Sequence, residues 1–197
     1  MSLADTGVVP GPDGVLRCPW ALTGSPVAYR DYHDHEWGRV VHGDAALFER
    51  LVLEGFQAGL SWATILAKRG AFRNVFAGFD PVRVAGFTAA DQDRIAADPG
   101  IVRNRAKIAA AVGNARLVVD LGVGGLDGLL WSFAPPPAPA PVTTADVPAV
   151  TAASAALAAD LRARGFRFVG PTTCYALMQA VGMVDDHLAG CSARRPC

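Results

Sequence analysis

The feature that most restricts the fold of this chain begins at Asp44. From there Leu47, Phe48, Leu51 and Val52 recur at three- and four-residue spacing, the period of one apolar face of an α-helix and not the alternation of a strand. Asp44 is placed to cap that helix, and Gly59 to end it. Glu54 stands on the same stripe, three residues after Leu51 and seven after Leu47. A carboxyl on a core-facing stripe is costly unless it meets a partner or lines a pocket, so Glu54 is either half of a buried ion pair or a site residue.

Further along, Ser61 can cap a helix through Arg69, and Asp80-Pro81 reads as a helix start with proline in the first turn. Thr88-x-x-Asp91 reads as a capping pair, and Ile101 to about Leu121 as the longest helix. Thr151 to Arg164 reads as an alanine-rich helix stopped by Gly165, and Phe166 to Gly182 as a turn and a helix. Before these, Ala134 to Pro148 holds Pro135, Pro136, Pro137, Pro139, Pro141 and Pro148, a density that excludes a helix or central strand and marks a loop or linker. Strand candidates such as Val118-Val119 or Arg167-Phe168-Val169 are too short for a sheet. The class is all-α, without internal repeats.

A chain of 197 residues can bury a core as one domain or as two closely packed helical subdomains. Residues 1–16, rich in glycine and proline, read as a disordered extension, 17–191 as the folded unit and 192–197 as a tail. The first residues carry no basic and apolar leader, and no apolar run reaches the ~18 residues that span a bilayer. The expectation is a soluble, cytoplasmic monomer with no membrane partner. Its 18 basic and 18 acidic residues cancel, which argues against a generally basic nucleic-acid binder. Basic residues nonetheless cluster, as in Lys68-Arg69 to Arg73, Arg103 to Lys107 and Arg162 to Arg167, a pattern that equally suits solvated helix faces.

The four cysteines are Cys18, Cys174, Cys191 and Cys197, and in a cytosolic chain they point to metal or free thiols before disulfides. His187 and Cys191 lie four residues apart; with Cys18 and His33 they form a set suited to tetrahedral zinc. Four protein ligands leave no open position, so such a zinc is structural and ties the two chain ends together. Singly, each of these residues also reads as a small buried hydrophobe or a hydrogen-bonded imidazole. Cys174 sits on an apolar helix and reads as core, and Cys197 as a frayed end. Tyr29-x-x-Tyr32-His33-Asp34-x-Glu36-Trp37-Gly38 and Leu53-Glu54-Gly55-Phe56-Gln57-Ala58-Gly59-Leu60-Ser61-Trp62 bring aromatic rings into the neighbourhood of one carboxyl. Rings with a carboxylate suit a flat, cationic, hydrogen-bonding ligand.

Arg164 to Ala176 joins two helices through a tight turn. Gly170 can supply a special backbone angle, Thr172 or Thr173 can cap the next helix, and the free N–H groups there suit a phosphate. The stretch resembles the helix-hairpin-helix of DNA base-excision enzymes, which grips the DNA backbone without reading sequence. Thr172 stands where that motif has its second glycine, and an ordinary helix turn is the plainer reading.

Several motifs occur in order: Arg17-Cys18-x-Trp20, Tyr32-His33-Asp34-x-Glu36-Trp37-Gly38, Leu53-Glu54-Gly55-x-Gln57-Ala58-Gly59-Leu60-Ser61-Trp62 and Phe79-Asp80-Pro81. Arg103-Asn104-Arg105-x-Lys107-Ile108, Leu130-Trp131-Ser132-Phe133, Gly165-Phe166-x-Phe168-Val169-Gly170 and Asp186-His187-x-x-Gly190-Cys191 follow. Together they resemble the 3-methyladenine DNA glycosylase I family across roughly residues 17–191. The resemblance implies the helix-hairpin-helix DNA glycosylase fold and excision of 3-methyladenine from alkylated double-stranded DNA. It places structural Zn2+ on Cys18, His33, His187 and Cys191. It assigns the lesion pocket to Glu54, Tyr32 and Trp62, with Trp37 and Tyr29 around the base. Gln57, Gly59 and Leu60 match the element that enters the space left by the flipped nucleotide, with Leu60 as wedge, and Gly170, Thr172 and Thr173 match phosphate contacts.

The extension before Arg17, the stretch between Trp20 and Tyr29 and the tail after Cys191 depart from the family pattern. The wider superfamily places a catalytic aspartate after the hairpin, a position that resembles Asp185, whereas this family is associated with the glutamate matching Glu54. Bifunctional relatives carry a hairpin lysine; Cys174 and no lysine occupies that region here, which implies no strand cleavage. A non-catalytic DNA-binding module, a zinc hydrolase with an open metal site and a glycosylase for another lesion are the competing readings.

Overall fold

The computed structural model describes residues 7–23 and 26–195, and its regular structure is helical apart from one pair of short strands. β1 (Val9–Pro10) and β2 (Leu16–Arg17) pair antiparallel. Among the described residues the helices are α1 (Pro26–His35), α2 (Asp44–Gln57), α3 (Trp62–Val75), α4 (Pro81–Ala85), α5 (Ala89–Ala97), α6 (Arg105–Asp120), α7 (Gly125–Trp131), α8 (Ala152–Ala163) and α9 (Pro171–Ala180). None is long and apolar enough, by itself, to cross a membrane.

α2 is the central element. Its stripe of Leu47, Phe48, Leu51, Val52, Leu53 and Phe56 is buried, and it packs against α3, α6, α7 and α9. Rings fill the space beside it: Phe56 meets Phe72 edge-on at 4.8 Å, and Phe48 meets Phe79 at 6.3 Å. Enclosure on so many sides is what places Glu54, at 5% exposure, away from bulk water.

Most helix starts follow from capping chemistry. The Ser61, Asp80 and Thr151 side chains accept from backbone N–H groups of the first turns of α3, α4 and α8, and Thr88 with Asp91 forms a reciprocal capping box on α5. Three boundaries differ from expectation. Gly43 takes the cap position of α2, and the Asp44 carboxylate instead accepts from the backbone of Gly124 (2.7 Å) and Asp127 (2.9 Å), fixing the start of α7. α6 begins at Arg105 and not near Ile101, because the Asn104 side chain accepts from Lys107 N (3.1 Å) and ends the extended approach there. α3 continues past Arg69 and through Gly70 to Val75, because Phe72, beyond the glycine, is buried in the core with Ile65.

The hairpin between α8 and α9 corrects two expectations. Gly170 has an ordinary φ of −71°, and the left-handed residues of the turn are Gly165, at φ 97°, and Phe168, at φ 58°. Neither Thr172 nor Thr173 caps α9: Gly170 holds the cap position without a side-chain bond, and Pro171 fills the first helical position, where its missing N–H costs nothing.

The disorder expected for residues 1–16 is corrected for the part described. Residues 7–16 carry β1 and a turn closed by Gly11 N to Val15 O (2.9 Å), and the segment is anchored at Arg17. Residues 1–6 lie outside the described residues, as do 24 and 25 in the long Trp20–Tyr29 stretch and Cys197. Ser192 N donates to Leu16 O (2.9 Å) and Ala193 is buried, so the tail packs against the start of the chain as far as Arg195. The proline-rich stretch straps back over this junction: Ala189 N donates to Pro141 O (2.7 Å), and Val147 packs on the small cluster of Cys18, Leu188, Cys191 and Ala193.

Candidate active site

α1, α2, the start of α3 and α9 close around a cavity of about 540 Å³. It brings together six residues singled out in the sequence: Tyr29, Tyr32, Trp37, Glu54, Gln57 and Trp62. The rings form one contiguous surface. Tyr32 lies 5.3 Å from Trp62, and Trp20 stands edge-on to Tyr29 at 5.8 Å and to Trp37 at 5.0 Å. Trp20, quoted only as part of a motif, thus joins the wall.

No hydrogen bond from the described residues reaches the Glu54 carboxyl. Burial alone pushes it up to about 8, so at neutral pH it is mostly protonated. The Tyr32 hydroxyl is pushed well above its usual range by burial and by the neighbouring Glu54. The indole N–H of Trp62 is also buried and meets no acceptor. The other acidic groups of the first aromatic stretch are occupied elsewhere. Glu36 takes both terminal nitrogens of Arg69 (2.6 and 2.7 Å), and Asp34 takes Nε and Nη2 of Arg17 (3.0 and 2.8 Å).

A second carboxylate was missed by sequence reasoning. Asp186 lines the cavity and accepts from Tyr175 Oη (2.6 Å) and Gln179 Nε2 (2.8 Å), both on Oδ2. Tyr175 and Gln179 are four residues apart on α9, a spacing that could have flagged them as one face. Asp185, the residue matched to the superfamily's aspartate, is turned elsewhere. Its Oδ1 lies 2.7 Å from His187 Nδ1, and its Oδ2 accepts from Arg195 N (3.1 Å). Burial by itself pushes the pKa of this carboxyl up, but these bonds outweigh burial and hold it below its usual range. Thr144 and Val147 of the proline-rich strap complete the wall, and nothing in that stretch's composition signals it.

The cavity is flanked by the turn between α2 and α3. There Gly59 adopts φ 83°, which only glycine takes freely, and the Leu60 side chain is 41% exposed at the tip. Gly170, Thr172 and Thr173 lie at the start of α9, outside the cavity lining.

Behind the wall formed by Cys18 and Leu188, the Cys18, His33 and Cys191 ligand atoms all lie within 4.8 Å of one another. His33 Nε2 is 3.5 Å from Cys191 Sγ. His187 stands beside this group, its ring 4.8 Å from that of His33 and its Nε2 3.3 Å from His33 O. Each imidazole has Nδ1 on a carboxylate at 2.7 Å, His33 on Asp34 and His187 on Asp185. That leaves His33 Nε2 facing Cys191, the arrangement that carboxylates impose on metal-binding histidines, whereas His187 Nε2 lies on a backbone carbonyl and His187 is not among the converging ligand atoms. A hydrogen bond from Cys18 pulls the Cys191 thiol down to about 4 and pushes that of Cys18 up.

Fold and cavity together define an all-helical protein built to hold a flat, unsaturated ligand among indole and phenol rings, with one buried carboxyl to read its edge. The chain belongs to the methyladenine glycosylase family, whose pattern matches residues 20–195. It is 45% identical over 179 residues to DNA-3-methyladenine glycosylase 1 of Escherichia coli (strain K12), covering 89% of this chain and 95% of that protein. It is 44% identical over 185 residues to DNA-3-methyladenine glycosylase of Haemophilus influenzae, covering 92% and 97%. A solved structure concerned with 3-methyladenine recognition by 3-methyladenine DNA glycosylase I from Staphylococcus aureus superposes with a TM-score of 0.84 at 36% identity, covering 90% of this chain and 96% of that one.

Proposed function

We propose that this protein is a monofunctional DNA-3-methyladenine glycosylase of base-excision repair, hydrolysing the N-glycosidic bond of 3-methyladenine in alkylated double-stranded DNA. The observation that carries the reading is Glu54, a carboxyl enclosed by aromatic rings and left without a hydrogen-bond partner. A buried polar group of that kind costs about 1–3 kcal/mol, and a ligand with a donor edge relieves the cost.

Extrusion of the lesion from the duplex costs a few kcal/mol of stacking. Leu60, exposed on its tight turn, enters the vacated space, with Gln57 and Gly59 shaping the turn. Methylation at N3 leaves the purine positively charged. Trp62, Tyr32 and Trp37 enclose it with Tyr29 at the edge, and their faces attract the charge. The arriving cation favours the ionised form of Glu54, which accepts from the donor edge of the base. The C1′–N bond breaks with its electron pair passing to the base, which departs neutral. Water adds to the oxocarbenium-like sugar, its proton goes to solvent, and an abasic site remains. Unmethylated adenine lacks the charge and is refused. Cys174, buried with its sulfur on Val169 O (3.7 Å), offers no amine for a Schiff base, so no strand cleavage follows.

The turn before α9 serves as a helix-hairpin-helix, with Gly170, Thr172 and Thr173 contacting phosphate. Zinc is held by Cys18, His33, His187 and Cys191; the thiolate and imidazole donors and the orienting carboxylates suit that ion. A four-ligand zinc supplies no chemistry and serves to join the chain ends. Residues 17–191 act as the glycosylase domain, as two closely packed helical subdomains, in a cytoplasmic monomer. The test is chromatography of bases released from methylated duplex DNA. Release of 3-methyladenine with 7-methylguanine left behind is expected. No release from folded, metal-loaded protein would leave a non-catalytic DNA-binding module as the better reading.

A further inference from the structure

Two buried polar side chains of α6 take no part in the scheme above. Lys107 is 7% exposed and Asn114 is 5% exposed, and they lie seven residues apart, two turns along one face. Each spends its hydrogen bonds on the backbone of a different segment. Lys107 Nζ donates to Phe56 O (2.9 Å) and Ala58 O (2.7 Å), the carbonyls from which the Leu60 turn departs. Asn114 grips the hairpin from both sides: its Nδ2 donates to Arg167 O (3.0 Å), and its Oδ1 accepts from Arg167 N (2.9 Å).

The two segments also touch. The Lys107 ammonium lies 5.8 Å from the centroid of the Phe168 ring. A Cβ on Gly55 would come within 3.3 Å of Phe168 Cβ, so the glycine next to Glu54 is what lets the hairpin tip settle on α2. Phe168 is held at φ 58°, a left-handed angle that costs a non-glycine residue on the order of 1 kcal/mol. The neighbouring Asn114 clamp holds the turn in that shape.

Lys107 pairs with no carboxylate among the described residues. A buried ammonium without a counter-charge is expensive, and if filling the space were its whole task a methionine would serve. Its charge sits instead where three elements converge: the end of α2 that carries Glu54, the Leu60 turn and the hairpin tip.

We infer that Lys107 and Asn114 are positioning residues that hold the Leu60 turn and the hairpin in one register on α6, so that gripping the DNA backbone and filling the vacated base position occur together. The inference rests on the glycosylase reading. It separates duplex substrates from single-stranded ones, because only a duplex leaves a gap for Leu60 to fill.

The test compares Lys107→Met, Lys107→Arg and wild type on one 3-methyladenine lesion placed in a duplex and in a single-stranded oligonucleotide, with binding of free 3-methyladenine followed by tryptophan fluorescence. Lys107→Met is expected to lose about tenfold or more in kcat/KM on the duplex while single-strand excision and free-base affinity stay within about twofold, since small misplacements of positioning groups carry such effects. Lys107→Arg, which can still reach both carbonyls, restores most of the duplex activity. Equal losses on both substrates, or no loss on the duplex, overturn the inference. If Lys107→Met does not fold, Asn114→Ser carries the same comparison from the hairpin side. Wild type that excises from neither substrate overturns the glycosylase reading itself, a separate outcome.

Discussion

The cavity and the cysteine–histidine cluster share the wall formed by Cys18 and Leu188, yet they treat buried polar groups in opposite ways. In the cavity, neither the Glu54 carboxyl nor the buried Trp62 indole N–H has a hydrogen bond among the described residues. In the cluster, each imidazole rests on a carboxylate, Asp34 is held by Arg17, and Asp185 is held by the backbone of Arg195. Arg17, 4% exposed, meets both Asp13 and Asp34. Orphaned groups are tolerated only where something else meets them during function, and saturated networks rigidify. The first region is thus a place for a ligand and the second a tie between chain ends.

Three variants, one of them measured in two ways, test this contrast. Glu54→Gln should lower 3-methyladenine release by about 10²-fold or more, as when one transition-state contact is removed, with thermal unfolding at pH 5 unchanged. Retained excision would remove Glu54 from the chemistry. On the zinc proposal, Cys191→Ala should abolish zinc binding and lose about 4 kcal/mol of stability in urea unfolding, because one member of a buried network is removed. Excision measured below its unfolding temperature should persist. A metal-free variant of unchanged stability would show that the cluster ties nothing.

Stability against pH separates the regions further. The Glu54 carboxyl sits at about 8 in the folded protein against 4.5 ordinarily, so the folded state holds that proton more tightly than the unfolded chain. Its stabilising contribution is full below about pH 4.5 and is lost as pH rises through 8. Wild type should therefore lose roughly 3 kcal/mol more than Glu54→Gln between pH 5 and 8 in paired urea titrations. Parallel curves would mean that the carboxyl is already satisfied. The smallest effect is expected from Asp185→Asn, which weakens the orientation of His187: metal affinity should fall about tenfold by chelator competition, with excision unchanged. A loss of excision without loss of metal would return Asp185 to the chemistry.

Much of this was legible in the residues. The α2 stripe and the carboxyl on it follow from local spacing, and so do the caps at Ser61, Asp80, Thr88 and Thr151, because capping is chemistry between near neighbours. Long-range placements were not legible. Asp44 reads locally as a cap but spends its carboxylate on α7, eighty residues away, where Gly124 N meets it. Of two adjacent aspartates, the one facing the cavity is Asp186 and not Asp185, and only the packing of α9 against the tail decides between them. The hairpin holds Phe168 left-handed, in defiance of local preference, because Asn114 grips the turn and Gly55 leaves room for it.

The sequence by itself determined the helices, the apolar stripe that buries Glu54 and the residue types able to build a ring-lined pocket and a metal cluster, since each follows from near-neighbour spacing and side-chain chemistry. The tertiary structure decided which of those groups meet. It brought Cys18 beside Cys191, left Glu54 without a partner among the described residues, brought the proline-rich strap to the cavity wall and set Lys107 under the Leu60 turn. The reason is physical: spacing along a chain states what a group can do, whereas desolvation and pairing depend on what packing brings from far along it.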